Sequence, residues 1–97
     1  MVISVQAPFN VPNEDELNEK LESLSKFHPK ITKCNVYFKV KDGRDQGEVT
    51  SEIEVFLPGA PIFSAAQSQQ YMDAFKAAYE KTERQLKKLK GKITEHR

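Results

Sequence analysis

The chain has little of what marks secreted or membrane proteins. It contains one cysteine, so no disulfide can form within the chain, which fits a reducing compartment. The N-terminal segment MVISVQAPF has neither the basic region nor the apolar run of a signal peptide. No apolar run approaches the length that crosses a bilayer. We therefore expect a cytoplasmic protein with no membrane partner.

Patterns for catalysis or metal binding are also missing. His28 and His96 have no ligand spacing to each other or to Cys34, which the strand pattern places in the core. The four glycines are scattered and form no phosphate-binding loop. No carboxylate pair stands beside a histidine or serine as catalysis would require. The sequence therefore predicts no catalytic residue, metal site, cofactor or small-molecule substrate, and a protein that is not an enzyme.

What is present suffices for one domain with strands and helices. Ninety-seven residues allow one modest core, so we expect a single domain over residues 1–97. Alternation of apolar and polar residues predicts strands over 2–6, 31–41 and 48–57, and a short strand over 62–67. Polar residues 42–47 predict a loop, and Pro58-Gly59 predicts a turn.

Two segments have helical periodicity. In the first, Asn13 and Glu16 predict a capping box, and His28-Pro29 predicts the end of the helix. The second begins at about Gln69, and its apolar stripe runs along one side with Thr82 as the only polar member. The predicted order is β-α-β-β-β-α. This order indicates an α+β fold of two layers, a four-stranded mixed sheet with both helices on its apolar face.

Positive charge is concentrated near the C-terminus. The formal charge is −3 over residues 1–60 and +4 over residues 61–97, and the segment KTERQLKKLKGK (81–92) carries six cations and one anion. Cations complement the C-terminal end of a helix dipole, but that requirement does not need so many. A face that binds a polyanion, with nucleic acid the natural candidate, and an ordinary charged helix surface both remain open. The polar sheet face also has two aromatic residues, Tyr37 and Phe56. Three roles stay open for them: stacking on bases, pairing with each other across the strands, or forming half of a weak self-association surface.

The segments YMDAFKAAYEKTERQLKKLKGK (71–92) and KLESLSKFHPKI (20–31) carry a family resemblance. The first resembles the last helix of the ribosome hibernation-promoting factor and ribosome-associated inhibitor family, some members of which are labelled modulators of sigma-54. The matching positions are Lys81, Arg84, Gln85, Leu86, Lys88 and Lys90. The second segment resembles the end of that family's first helix and the start of its second strand.

The resemblance implies a fold similar to a double-stranded-RNA-binding domain and a role in ribosome hibernation. It implies binding to the small ribosomal subunit and its 16S rRNA in the decoding channel, and a block of initiation during slow growth, stress or stationary phase. Long members add a C-terminal dimerisation domain. This chain, which ends at Arg97, resembles the short form, and we expect a monomer in solution.

Combining charge and resemblance, we assign rRNA contacts to basic residues of the second helix. The expected primary contacts are Lys81, Arg84, Lys87, Lys88, Lys90 and Lys92. The expected secondary contacts are Lys20, Lys26, Lys30, Lys39, Lys41 and Gln85.

The chain departs from the family pattern in two places. Gln70 replaces the acidic residue that opens the second helix, and the first helix begins with the acidic run 14–16, which would repel phosphate. Two other functions stay open. The chain could be a protein-interaction module, such as a transcription-factor modulator, or a general binder of double-stranded RNA.

Overall fold

The computed structural model describes residues 1–40, 48–59 and 61–95, and for residues 90–95 it describes the backbone alone. The predicted loop over 42–47 and the predicted contact Lys41 lie outside the described residues. The elements are, in chain order, β1 (Val2–Gln6), α1 (Glu14–Glu22), a 3-10 turn (Ser23–Lys26), β2 (Lys33–Val40), β3 (Val49–Phe56), β4 (Ile62–Ser68) and α2 (Tyr71–Glu95).

The four strands form one sheet in the order β1-β2-β3-β4. β1 lies parallel to β2, because α1 connects the two, whereas β2, β3 and β4 pair antiparallel through short connections. The predicted α+β fold, with a four-stranded mixed sheet and two helices, is confirmed.

The core lies between the sheet and the two helices. α1 contributes the fully buried Leu17 and Leu21, and α2 contributes Phe75 and Leu86, which pack in one cluster with inward-facing strand residues such as Ile53. Burying an aliphatic side chain of this size contributes about 1.5–3 kcal/mol, so this cluster holds the layers together.

The stripe predicted for α2 packs on the core as far as the side chains are described, with its ends, Met72 and Leu89, only partly buried. Its polar member, Thr82, is fully buried and donates its hydroxyl to the Ala78 carbonyl oxygen at 3.0 Å. This bond satisfies the hydroxyl within the helix, so a polar side chain is tolerated there. The predicted stripe residue Ile93 lies beyond the described side chains.

The first helix begins directly after Asn13, as predicted, but the predicted capping box does not form. Asn13 accepts no backbone hydrogen bond with its side chain. Its amide instead donates to the Glu16 carboxylate at 3.2 Å, and its carbonyl side-chain oxygen accepts from the Tyr71 hydroxyl at 2.9 Å. Asn13 is therefore the N-cap residue by position, as predicted, but its side chain joins α1 to the start of α2 instead of capping the helix. α1 also gives way early to the 3-10 turn, short of the predicted end at His28.

Two turn and strand predictions have different outcomes. Gly59 has φ of 101°, a left-handed conformation that glycine adopts without steric cost, and this confirms the turn at Pro58-Gly59. Val40, which the alternation over 31–41 predicts to face the core, is instead 46% exposed at the end of β2.

Across the described chain, no helix is both long and apolar enough to cross a membrane.

Candidate nucleic-acid interface

A shallow groove runs along one side of α2. Its lining residues are Lys81, Arg84, Gln85 and Lys88. Spacings of three and four residues place these side chains on successive turns of the same helix surface, above one another. The groove is therefore a consequence of helical geometry, and three of its four lining residues are basic.

Two groove residues also cover the free edge of the sheet. β4 is an edge strand, and Lys81 Nζ donates to the Ala65 carbonyl oxygen at 2.8 Å. The Gln85 amide donates to the Phe63 carbonyl oxygen at 3.1 Å and to the Ser64 hydroxyl at 2.9 Å. Unpaired edge carbonyls invite pairing with another strand, so these bonds protect the edge and hold α2 against β4. Sequence reasoning did not predict this structural role.

Arg84 and Lys88 are exposed in the groove. Within the described residues, no carboxylate lies within ion-pair distance of Lys81, Arg84 or Lys88. A guanidinium and an ammonium on one side of the helix, with no carboxylate of the described residues paired to them, create a positive potential, which favours an anionic ligand. Arg84 presents a planar fork that matches a phosphate bidentately.

Lys87 lies apart from the groove although it is adjacent to Lys88 in sequence. Its ammonium is 3.8 Å from the Glu83 carboxylate and 5.6 Å from the centre of the Phe27 ring. Both contacts are attractive to a cation, so Lys87 is already partnered within the protein. Of the primary contacts predicted from sequence, the structure brings together Lys81, Arg84 and Lys88 and separates Lys87 from them. The side chains of Lys90 and Lys92 lie outside the described part.

The side of α2 that carries Tyr79, Glu83 and Lys87 faces Phe27 and is called the Phe27 side below. It joins α2 to the first helix and the 3-10 turn. The Tyr79 hydroxyl is 2.7 Å from the Ser23 hydroxyl, and the Lys20 ammonium is 5.1 Å from the centre of the Tyr79 ring. The ammonium of Lys20, a predicted secondary contact, therefore lies over an aromatic ring of α2.

The other predicted secondary contacts are dispersed. Lys26 and Lys30 are exposed near the end of the 3-10 turn. Lys39 pairs with Glu52 across the outer sheet face at 3.2 Å. Opposite charges on neighbouring strands of one sheet face attract each other, and this pair leaves Lys39 partly neutralised.

The outer sheet face has three aromatic residues in different environments. Tyr37 is half-buried, and the Phe56 ring has the Lys33 ammonium 5.7 Å from its centre. Phe63 on β4 is 54% exposed. Sequence reasoning overlooked Phe63, although the alternation of Ile62, Phe63 and Ser64 would have placed it on the outer face.

Cys34 is fully buried in β2, as predicted. Burial raises the pKa of its thiol to about 11, so the thiol stays protonated in neutral solution. Within the described residues, no cluster of histidine, cysteine and acidic side chains could hold a metal ion.

The fold and the groove define a small α+β domain whose second helix carries a cationic groove at the sheet edge. A family model described as "Sigma 54 modulation protein / S30EA ribosomal protein" matches residues 11–94, and the chain belongs to this family. The resemblance to hibernation-promoting factors is thereby confirmed. No curated protein matches the chain significantly.

Two solved structures share this fold. A ribosomal subunit interface protein from Coxiella burnetii is 23% identical, with a TM-score of 0.77, over 94% of this chain and 99% of that one. The N-terminal domain of Protein Y from Thermus thermophilus is 20% identical, also with a TM-score of 0.77, over 92% of this chain and 99% of that one. At these identities the likeness establishes the fold.

Proposed function

We propose that this chain is a ribosome hibernation factor. It binds 16S rRNA in the decoding channel of the small ribosomal subunit and blocks initiation in slow growth. It acts by occupying the site, without chemistry, as a cytoplasmic monomer. The observation that carries the proposal is the groove on α2, where Lys81, Arg84 and Lys88 share one side of the helix.

The physical reason is electrostatic. RNA phosphates neutralised by lysine and arginine release condensed counterions, and this release supplies affinity that does not depend on sequence. The total charge of +1 is too small for a general attraction to RNA, so the localised groove must provide it. The exposed acidic residues at the start of α1, Glu14 and Asp15, orient the protein by disfavouring phosphate at that end.

Family membership supports the ribosome as the target. The matching family description includes a ribosomal protein, and the similar structure from Coxiella burnetii is called a ribosomal subunit interface protein. We extend the contact along α2 to Lys90 and Lys92, which follow Lys88 in the same helix. Lys26 and Lys30 are secondary contacts in this proposal, because both are exposed.

The test is co-sedimentation with purified small subunits in a sucrose gradient. The Arg84→Gln/Lys88→Gln variant removes two cations from the groove, and we expect it to stay at the top of the gradient. The matched control, Lys20→Gln/Lys87→Gln, removes the same charge from the Phe27 side of α2. We expect the control to sediment with the subunits. Equal sedimentation of both variants would overturn the groove assignment.

Two further experiments separate this function from the two other candidate functions. If an arbitrary RNA duplex competes as well as small subunits do, the chain is a general double-stranded-RNA binder. If a captured partner persists after ribonuclease treatment, the chain is a protein-interaction module. The decoding-channel placement predicts that the chain competes with initiator tRNA and mRNA for the small subunit, and simultaneous binding of all three would contradict it.

A further inference from the structure

We propose that Phe63 is a stacking platform for an unpaired RNA base beside the groove. This inference rests on the proposed function and adds a feature of the ligand, namely that its strand is single at the point of contact. The observation is the position of an exposed aromatic ring on the same strand edge that the groove residues cover.

The ring of Phe63 is accessible to a ligand. It faces outward on β4, opposite Glu54 of β3 in the sheet register, and is 54% exposed. Two positions further along the same face is Ala65, whose methyl group leaves room beside the ring. In the described part of the chain, the Phe63 ring takes part in none of the aromatic pairs that the core uses.

The groove adjoins the backbone of Phe63, whose ring stands on the outer face of the same strand. The Gln85 amide donates to the Phe63 carbonyl oxygen at 3.1 Å, and two residues along β4 Lys81 donates to Ala65 at 2.8 Å. The cationic side chains of α2 and the ring therefore lie on adjoining surfaces of one strand edge. Proteins that bind single strands combine these two features, a positive groove for the backbone and an aromatic ring for a base.

The charge and shape of the site select the ligand. A duplex keeps its bases stacked inside, so a duplex lying in the groove would offer phosphates to the cations and nothing to the ring. An unpaired nucleotide offers both. A second copy of this chain fits less well, because it would bring another groove containing Lys81, Arg84 and Lys88 toward the first.

Phe63 differs from the two aromatic residues predicted from sequence. The Lys33 ammonium already lies over Phe56, and Tyr37 is half-buried between its neighbours. Tyr37 and Phe56 are on central strands, whereas Phe63 is on the edge strand beside the groove. Only the three-dimensional arrangement distinguishes the three rings.

The test uses the absence of tryptophan from the chain. Phe63→Trp introduces a single indole, whose fluorescence reports stacking. We expect a short single-stranded oligouridylate to quench this fluorescence. We expect polyphosphate, a polyanion without bases, and a blunt RNA duplex to bind the groove without comparable quenching.

Val2→Trp is the matched control. Val2 is 63% exposed and lies on the same outer face, but on β1 at the opposite edge of the sheet. Its indole should not respond to oligouridylate. Equal quenching of both indoles would overturn the proposal, because it would show that RNA contacts the outer face without preference for the groove edge.

Affinity provides the second measurement. Phe63→Ala should weaken binding of oligouridylate roughly 5- to 100-fold, the range for one base stacked on an aromatic ring. It should leave polyphosphate binding unchanged, because the groove is intact. Unchanged affinity for oligouridylate, together with an unresponsive indole, would overturn the stacking platform while leaving the proposed function in place.

Two other outcomes are decisive. If neither oligouridylate, polyphosphate nor small subunits bind, the proposed function and this inference fail together. If the Phe63→Trp fluorescence depends on protein concentration without RNA, and Phe63→Ala abolishes a dimer, the ring is a contact between copies and the stacking proposal is wrong.

Discussion

The two sides of α2 carry similar residues and have different environments. On the groove side, Arg84 and Lys88 are exposed, and no carboxylate of the described residues pairs with them. On the Phe27 side, Lys87 pairs with Glu83 and lies over Phe27. Lys87 and Lys88 are neighbours in the chain, and one helical step separates a partnered cation from a cation available to a ligand. The number of lysines in a helix therefore does not define a binding face; the partners of each lysine do.

The two sides of α2 attach the helix to different parts of the fold. The Phe27 side holds α1 and α2 together through Tyr79 and Ser23. The groove side is held to the sheet by Lys81 and Gln85, which bind carbonyl oxygens of β4. Arg84 and Lys88 stay exposed between these two attachments.

The largest expected effect is on stability, from truncating a core residue of α2 that anchors both sides of the helix. Leu86 is a fully buried residue of α2, and Leu86→Ala should lower the free energy of unfolding by about 2–5 kcal/mol through lost contacts and a cavity. For a domain of this size the melting temperature should fall by roughly 10–25 °C. A loss below about 1 kcal/mol in chemical denaturation would mean that α2 is not anchored there.

Next in size is a comparison of neighbouring lysines. Lys88→Gln should weaken binding to small subunits about tenfold, since a charged hydrogen bond to phosphate contributes about 1.5 kcal/mol. Lys87→Gln removes the same charge one residue earlier and should change the affinity less than about twofold, because the Lys87 ammonium lies over Phe27 and outside the groove. Equilibrium binding of each purified variant decides the matter. A larger loss for Lys87→Gln would reverse the assignment of the two sides.

A smaller effect should separate stability from binding on the Phe27 side. Tyr79→Phe removes the hydroxyl that is 2.7 Å from the Ser23 hydroxyl and keeps the ring. We expect a loss of about 0.5–1.5 kcal/mol in unfolding free energy and unchanged affinity for small subunits. Ser23→Ala should lose more, because the Ser23 hydroxyl also donates to the Lys20 carbonyl oxygen at 2.6 Å, and the double variant should lose little more than Ser23→Ala alone. Reduced ribosome binding by Tyr79→Phe would show that the Phe27 side also contacts the ligand.

The smallest effect concerns the covered sheet edge. Gln85→Ala exposes the Phe63 carbonyl oxygen to water, which replaces the lost bond, so the stability should fall by only about 0.5 kcal/mol. The uncovered edge should instead cause weak self-association at high protein concentration, measurable by sedimentation velocity. A variant that stays monomeric at every concentration would show that Lys81 alone protects the edge.

Much of the fold could be predicted from local patterns. β1 has the predicted bounds, and the stripe of α2 packs on the core through Leu89. Both follow from periodicity, which depends on which residues avoid water. The end of α1 was harder, because the change to a 3-10 turn at Ser23 depends on how Leu24 packs in the core. The role of Asn13 was missed for a related reason, since Tyr71, its partner, lies far away in the sequence.

The site was predicted only in part. Helical spacing correctly placed Lys81, Arg84 and Lys88 together. It could not show that Lys81 and Gln85 bind carbonyl oxygens of β4, because the crossing of α2 over the strand edge is set by the whole core. Neither could it reveal the ring beneath Lys87, which belongs to a distant segment. Whether the grouped residues contact rRNA stays a prediction.

The salt dependence of small-subunit binding tests the central claim most directly. With Arg84 and Lys88 of the groove and Lys90 and Lys92 beyond it on phosphates, the slope of log affinity against log salt concentration should be about −3 to −4. The slope should become shallower by about 0.7–0.9 in Lys88→Gln and stay unchanged in Lys87→Gln. A nearly flat response of the unmodified chain, or identical slopes in the two variants, would contradict an electrostatic contact through the groove.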